Sequence, residues 1–181
     1  MTWTTFKNLI FRSGGTNDDR GYRHSCIFCR IATGEEFPGH SDNDLLHNDD
    51  KLVAFKDIKP AATRHYLVIP KMHVASVRTL NRSKEDHAMI CEMLKLGKEL
   101  LHRDAPGAET RFGFHVPPFN SVDHIHLHCF ALPFSPAWKE SKYRQYPFLP
   151  FATFMSEEEV LKRTQPDVGQ DAKASQQGGK L

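Results

Sequence analysis

From His124 to Ala131 the chain reads His-Ile-His-Leu-His-Cys-Phe-Ala, with imidazole and apolar side chains alternating one by one through Cys129. Successive side chains of a strand point to opposite faces, so His124, His126 and His128 share one face. Ile125, Leu127 and Cys129 take the other, which is apolar enough to lie on a core. Three imidazoles on one side of a sheet bring polar nitrogens that must all be satisfied. Either they bind something or they do chemistry.

The rest of the chain supplies partners for such a strand. Leu52-Val-Ala-Phe55 is a short apolar run ended by Asp57-Ile-Lys-Pro60, and His65-Tyr-Leu-Val-Ile69 is closed by Pro70. Proline has no N–H for a ladder, so both read as strands that stop there. Arg111-Phe-Gly-Phe-His115 reads as another strand before the Pro117-Pro118 turn. Between them, Ser83 can cap a helix with Asp86 three residues on, and Ile90, Met93, Leu94, Gly97, Leu100 and Leu101 recur at helical spacing. Strands grouped around one main helix predict an α+β fold with a mostly antiparallel sheet.

With 181 residues the chain has room for one domain with a real core and modest tails. Residues 1–22 read as a flexible arm, since Ser13-Gly14-Gly15 and the polar residues after it form a linker. The apolar stretch there is too short for a signal sequence, and Asp18 and Asp19 argue against a transit peptide. The domain is expected over 23–155, and 156–181 as a charged, largely disordered tail. No apolar run is long enough to span a bilayer. A formal net charge of +2 with intermixed signs argues against a duplex-binding face.

The chain has 11 His and 4 Cys. Cysteines so few, two of them as Cys26-Ile-Phe-Cys29, do not form a secreted disulfide framework, so a cytoplasmic or nuclear setting is expected. Two thiolates at this spacing can grip one zinc ion, with two further N or S ligands completing a tetrahedron. A redox pair or two buried thiols are the other readings of the same residues. Cys91 is expected in the core of the helix, and His47 and His73 at surface or turn positions without a role. An imidazole titrating near neutrality can also attack phosphorus without a separate base, if its other nitrogen is held by an acceptor.

Taken together these segments resemble the histidine triad family, whose pattern His-φ-His-φ-His-φ-φ (φ apolar) is matched from His124 to Phe130. Cys26-Ile-Phe-Cys-Arg-Ile31, Ala54-Phe-Lys-Asp-Ile-Lys-Pro60 and His65-Tyr-Leu-Val-Ile-Pro-Lys-Met-His73 match in order and approximate spacing. The resemblance covers about residues 25–131. Phe112-Gly-Phe-His-Val-Pro-Pro-Phe119, running into Ser121, is similar to the aprataxin-related branch. The Asn-Glu-Gly sequence of the commonest members is absent, and His115 stands in its neighbourhood.

The resemblance implies a small α+β domain, often a homodimer, that binds a purine nucleotide and releases AMP from phosphoramidate or acyl-adenylate substrates. It implies His126 as nucleophile, His128 on a phosphate oxygen, and Ser121 and His115 near the phosphate or leaving group. Asp57 would bind the ribose, with Ile27, Phe28, Ile31 and Phe55 around the base. Zinc would sit on Cys26, Cys29, His65 and His124. Two alternatives are removal of AMP from adenylated DNA ends and a zinc-stabilised nucleotide-binding module without turnover. Against the first, the tail after Ser156 contains neither Cys nor His and no basic stripe is present.

Overall fold

The computed structural model describes residues 21–35, 44–144 and 152–167. Its elements are α1 (Ile27–Thr33), β1 (Leu45–Asn48), β2 (Leu52–Lys56), β3 (Ala62–Pro70), α2 (Lys84–Asp104), β4 (Thr110–His115), β5 (Leu127–Phe134), β6 (Phe154–Ser156) and α3 (Glu157–Thr164). Short 3₁₀ turns lie at Val77–Thr79 and Ala137–Tyr143. The six strands form one sheet in the order β1-β2-β3-β5-β4-β6, every neighbouring pair antiparallel. This is the α+β architecture predicted from the alternating segments.

β3 is the central strand. It is paired along its length with β2 (Leu52↔Pro70, Lys56↔Tyr66) and with β5 (His65↔Phe130, Leu67↔His128). Its residues from His65 to Pro70 are all buried. One sheet face lies under α2, where Val68, Phe112, Leu127 and Cys129 meet Ile90, Met93 and Leu101. On the opposite face Phe28 and Ile31 of α1 cover Val53, Phe55, Leu67 and Ile69. A third cluster joins Ala62, Phe130, Phe134 and Phe154, with Tyr143 against it.

α2 begins as its sequence predicts: the Ser83 hydroxyl accepts the Asp86 N–H at 3.1 Å. Glu85 and Asp86 lie in its first turn and His102 and Arg103 in its last, which complements the helix dipole. Gly97 lets it approach the sheet, because a Cβ there would sit 2.6 Å from Cys129 Sγ. Cys91 is exposed rather than in the core. One step of about 100° from Ile90 turns it to solvent.

Two boundaries differ from the sequence reading. β5 starts at Leu127, because Ile125 donates its N–H to the Val74 carbonyl at 2.6 Å, so 124–126 follow the loop after β3. The alternation nevertheless persists, with Ile125 in the α2-side core. The second concerns the tail expected from residue 156. Instead, Ser156 and Glu159 form a reciprocal capping box that starts α3, whose Val160 and Thr164 are fully buried. The arm over 1–20, the stretch 168–181 and the aromatics Tyr146, Phe148 and Phe151 lie outside the described residues. No described helix is long and apolar enough to cross a membrane.

Candidate active site

His126 is 5% exposed and lies on the sheet face that α1 covers. Its Nδ1 stands 2.7 Å from the His124 carbonyl oxygen. A carbonyl only accepts, so Nδ1 carries the proton and Nε2 keeps a free lone pair. Burial holds its pKa down to about 4, opposed by the bond to the His124 carbonyl. The ring is therefore neutral at pH 7. Phe28 packs edge-on against it at 5.2 Å, fixing the plane of the ring.

The tautomer of His128 follows from a chain of contacts. Ala61 N–H donates to His65 Nδ1 at 3.2 Å, which makes His65 Nε2 the protonated nitrogen of a neutral ring. That N–H faces His128 Nδ1 at 2.8 Å, so His128 accepts there and carries its own proton on Nε2. His128 Nε2 is buried without a hydrogen-bond partner. Burial holds His65 down to about 3 and His128 well below the usual range, and the neighbouring imidazoles add to both. The result is a buried, unpartnered N–H donor 4.9 Å, ring to ring, from the nucleophile candidate. Such a group is costly unless a ligand oxygen meets it.

His115 completes the group from β4. Its ring lies 4.9 Å from that of His128 and 5.2 Å from that of Tyr143. Its Nδ1 faces the Thr153 carbonyl at 3.4 Å, and burial lowers its pKa. Asp57, half-buried at the end of β2, places Oδ2 3.5 Å from His65 Nε2, while its other oxygen accepts the Lys59 N–H at 2.7 Å. Phe28, Ile31 and Phe55 are buried together with Ile27 packed against them, and the Phe28 and Phe55 rings are 5.8 Å apart. Ser121 is exposed on the loop before His124. Its neighbours Asn120 and Val122 line a small recess with Ser76, His115 and His126.

A second cluster lies beside His126. Cys26, Cys29, His73 and His124 are all buried and bring one ligand atom each to within 4.8 Å of one another, a set that can hold a metal ion. His124 Nδ1 is 3.5 Å from both sulfurs, and His73 Nδ1 is 3.3 Å from Cys29 Sγ. His124 Nε2 donates to the Pro70 carbonyl at 2.8 Å, which turns the Nδ1 lone pair toward the thiols. This corrects the expected ligand set. His65, near the start of β3, is engaged with Ala61 and His128; His73, just beyond the far end of the strand, is 1% exposed and supplies the fourth ligand atom. Asp57, His65 and His128 also converge, but the 2.8 Å between the two imidazoles is a hydrogen bond.

The structure thus brings together His126, His128, His115 and Asp57 on one side and Cys26, Cys29 and His124 on the other. Sequence reasoning missed His73 and Thr153, and it saw Tyr143 and Phe154 only as members of an aromatic-rich segment, not as neighbours of His115. The Tyr143 and Phe154 rings lie 5.7 Å apart.

Comparison with known proteins agrees with this geometry. The family model described as "Scavenger mRNA decapping enzyme C-term binding" matches residues 25–144. A bifunctional adenosine 5'-phosphosulfate phosphorylase/adenylylsulfatase of Arabidopsis thaliana is 49% identical over 146 residues, covering 81% of this chain and 95% of the relative. An adenosine 5'-monophosphoramidase of Xenopus tropicalis is 47% identical over 116 residues, 62% of this chain and 71% of the relative. Among solved structures, a HIT family hydrolase from Legionella pneumophila superposes with a TM-score of 0.51 at 33% identity, over 58% of this chain and 90% of that one. With the His124–Phe130 pattern, the family model and these relatives in agreement, the chain belongs to the histidine triad family.

Proposed function

We propose that the protein hydrolyses AMP conjugates, phosphoramidates or acyl-adenylates, through a nucleotidyl intermediate on His126. The carrying observation is the pairing of a bare His126 Nε2 with the unpartnered His128 Nε2–H beside it. The names of the relatives, a monophosphoramidase and an adenylylsulfatase, support AMP as the group released.

For a P–N substrate, His126 Nε2 attacks the α-phosphorus as the P–N bond breaks, and the amine leaves with a proton from solvent. The imidazole, now bonded to phosphorus at Nε2 and protonated at Nδ1, is cationic and leans on the His124 carbonyl. His128 Nε2–H donates to a phosphate oxygen as charge gathers there. Water then attacks phosphorus, the P–Nε2 bond breaks, and His126 returns neutral. His115 takes the water's proton and passes it to solvent as AMP departs. Ser121 meets the phosphate, Asp57 accepts from the ribose hydroxyls, and Ile27, Phe28, Ile31 and Phe55 wall the purine.

The Cys26, Cys29, His73 and His124 set is read as a structural zinc site. Tetrahedral zinc with ordinary Zn–S and Zn–N lengths separates sulfur from nitrogen by about 3.5 Å. The gaps of 3.3–3.5 Å between these sulfurs and ring nitrogens fit that requirement. A bound ion would tie α1 to the loop that carries His126. Free thiols at all four cysteines suit a reducing cytoplasmic or nuclear setting. A homodimer is the assembly the family resemblance implies, and sedimentation of the purified chain tests it.

Purified protein should release AMP from an AMP-amine model substrate, and mass measurement of a quenched reaction should find the nucleotide on a peptide containing His126. His126→Ala should abolish both while keeping the fold. Undiminished turnover in that variant refutes the mechanism.

A further inference from the structure

The family model stops at residue 144, yet residues 152–164 add a strand and a helix that reach the active site. Phe154 is 2% exposed and sits in a notch made for it: a Cβ on Gly113 would come within 2.4 Å of its ring. From there the ring packs edge-on to His115 at 5.3 Å and lies 6.2 Å from His128. The preceding carbonyl, that of Thr153, accepts the Val116 N–H at 3.1 Å and His115 Nδ1 at 3.4 Å. The segment is anchored beyond the site, because α3 buries Val160 and Thr164 against α2, and His87 Nδ1 meets the Thr164 hydroxyl at 3.1 Å.

We infer that Thr153 and Phe154 are positioning residues that fix both the plane and the tautomer of His115. The Thr153 carbonyl takes the proton of Nδ1, which leaves Nε2 bare and able to accept a proton or an N–H of the leaving group. Phe154 keeps that carbonyl in place by filling the Gly113 notch and keeps the ring edge-on. An imidazole without such an acceptor is free to exchange tautomers, and its Nε2–H form would present a donor where an acceptor is required. This role rests on the proposed hydrolase reading for its catalytic meaning, but the tautomer itself does not depend on it.

The test uses the full chain with ¹⁵N-labelled histidine, assigned through His115→Gln. Long-range ¹H–¹⁵N spectra at neutral pH should show His115 protonated at Nδ1 and bare at Nε2. Phe154→Ala should move His115 toward exchanging tautomers and lower kcat for AMP release tenfold or more, with KM little changed. Phe154→Leu, which keeps most of the buried volume, should fall between and serves if the alanine variant does not fold. Val160→Ala, which loosens the α3 anchor but keeps the Phe154 ring in place, should shift both the spectrum and kcat less than Phe154→Ala does. The inference is overturned if His115 keeps the Nδ1–H form in the Phe154 variants, or if Val160→Ala alters His115 equally. Absence of AMP release by the wild-type protein would refute the hydrolase reading, while the spectra would still decide the inference.

Discussion

Acid should unfold this domain well before its carboxylates titrate. Burial holds His65 and His124 down to about 3 and His126 to about 4, against an ordinary histidine value of 6.5. The unfolded chain therefore binds more protons than the native one below pH 6.5, so stability falls as pH falls. The histidine contribution is complete above about 6.5 and drains away between there and the folded values near 3 to 4. At pH 5 each unfolded imidazole has gained about 2 kcal/mol that its native counterpart has not, following from about 1.4 kcal/mol per pH unit. The three together cost about 6 kcal/mol, comparable with the whole stability of an ordinary domain, about 5–15 kcal/mol. His128, His73 and His115 shift in the same direction and steepen the fall. Urea titrations of chelator-treated protein at pH 7.5, 6 and 5 would read the loss as a midpoint falling by about 2–4 M, given ordinary slopes for a domain of this size. His126→Ala should recover about a third of it. A stability at pH 5 within about 1 kcal/mol of that at pH 7.5 would refute the neutral, buried assignment of these rings.

Other expectations follow from single contacts. His65→Phe removes the donor that sets His128 and strands the Ala61 N–H, so kcat/KM for AMP release should fall about 10²–10³-fold with about 1–3 kcal/mol lost from the fold. Gly97→Ala drives a Cβ into Cys129 Sγ and should cost about 1–3 kcal/mol in urea, largely relieved by adding Cys129→Ala. His73→Ala should lower the zinc content of purified protein measured by native mass spectrometry, whereas His65→Phe should leave it unchanged. Burial pushes the Cys29 thiol up to about 11, so loading zinc at pH 7 should release its proton, visible with a pH indicator as acidification that Cys29→Ser diminishes.

What could be read in the sequence was what is local. β2, β3, β4 and α2 announce themselves through period, proline stops and the Ser83 cap, and the triad alternation placed its imidazoles on one face. α1 was hidden because its seven residues have no side-chain cap, and what stood out there was the Cys26–Cys29 spacing at its start and the apolar Ile27, Phe28 and Ile31. His73 looked like a turn residue, and only the packing of α1, whose Cys29 lies 44 residues away in sequence, buries it. His65, eight residues earlier, is the fourth ligand that the family resemblance implies, but the direction of the strand puts it at the other end of β3. β6 has three residues and depends on the Gly113 notch, a long-range fit that no window shows. The helix after it did leave a signal: Ser156 with Glu159 is a capping-box spacing, obscured by the surrounding charge.

β3 also acts as a ruler. Near one end it carries His65, which sets the proton on His128; at the other its Pro70 carbonyl holds His124, and His73 follows three residues later. Because both long sides of the strand are paired, the gap between the two stations has almost no tolerance. A one-residue slip would turn His65 to the wrong face, and a two-residue slip would carry it about 7 Å along the strand. An insertion anywhere between them should disable the reaction chemistry and the metal ligands in a single stroke, so neither can be re-engineered along this strand without re-registering the other.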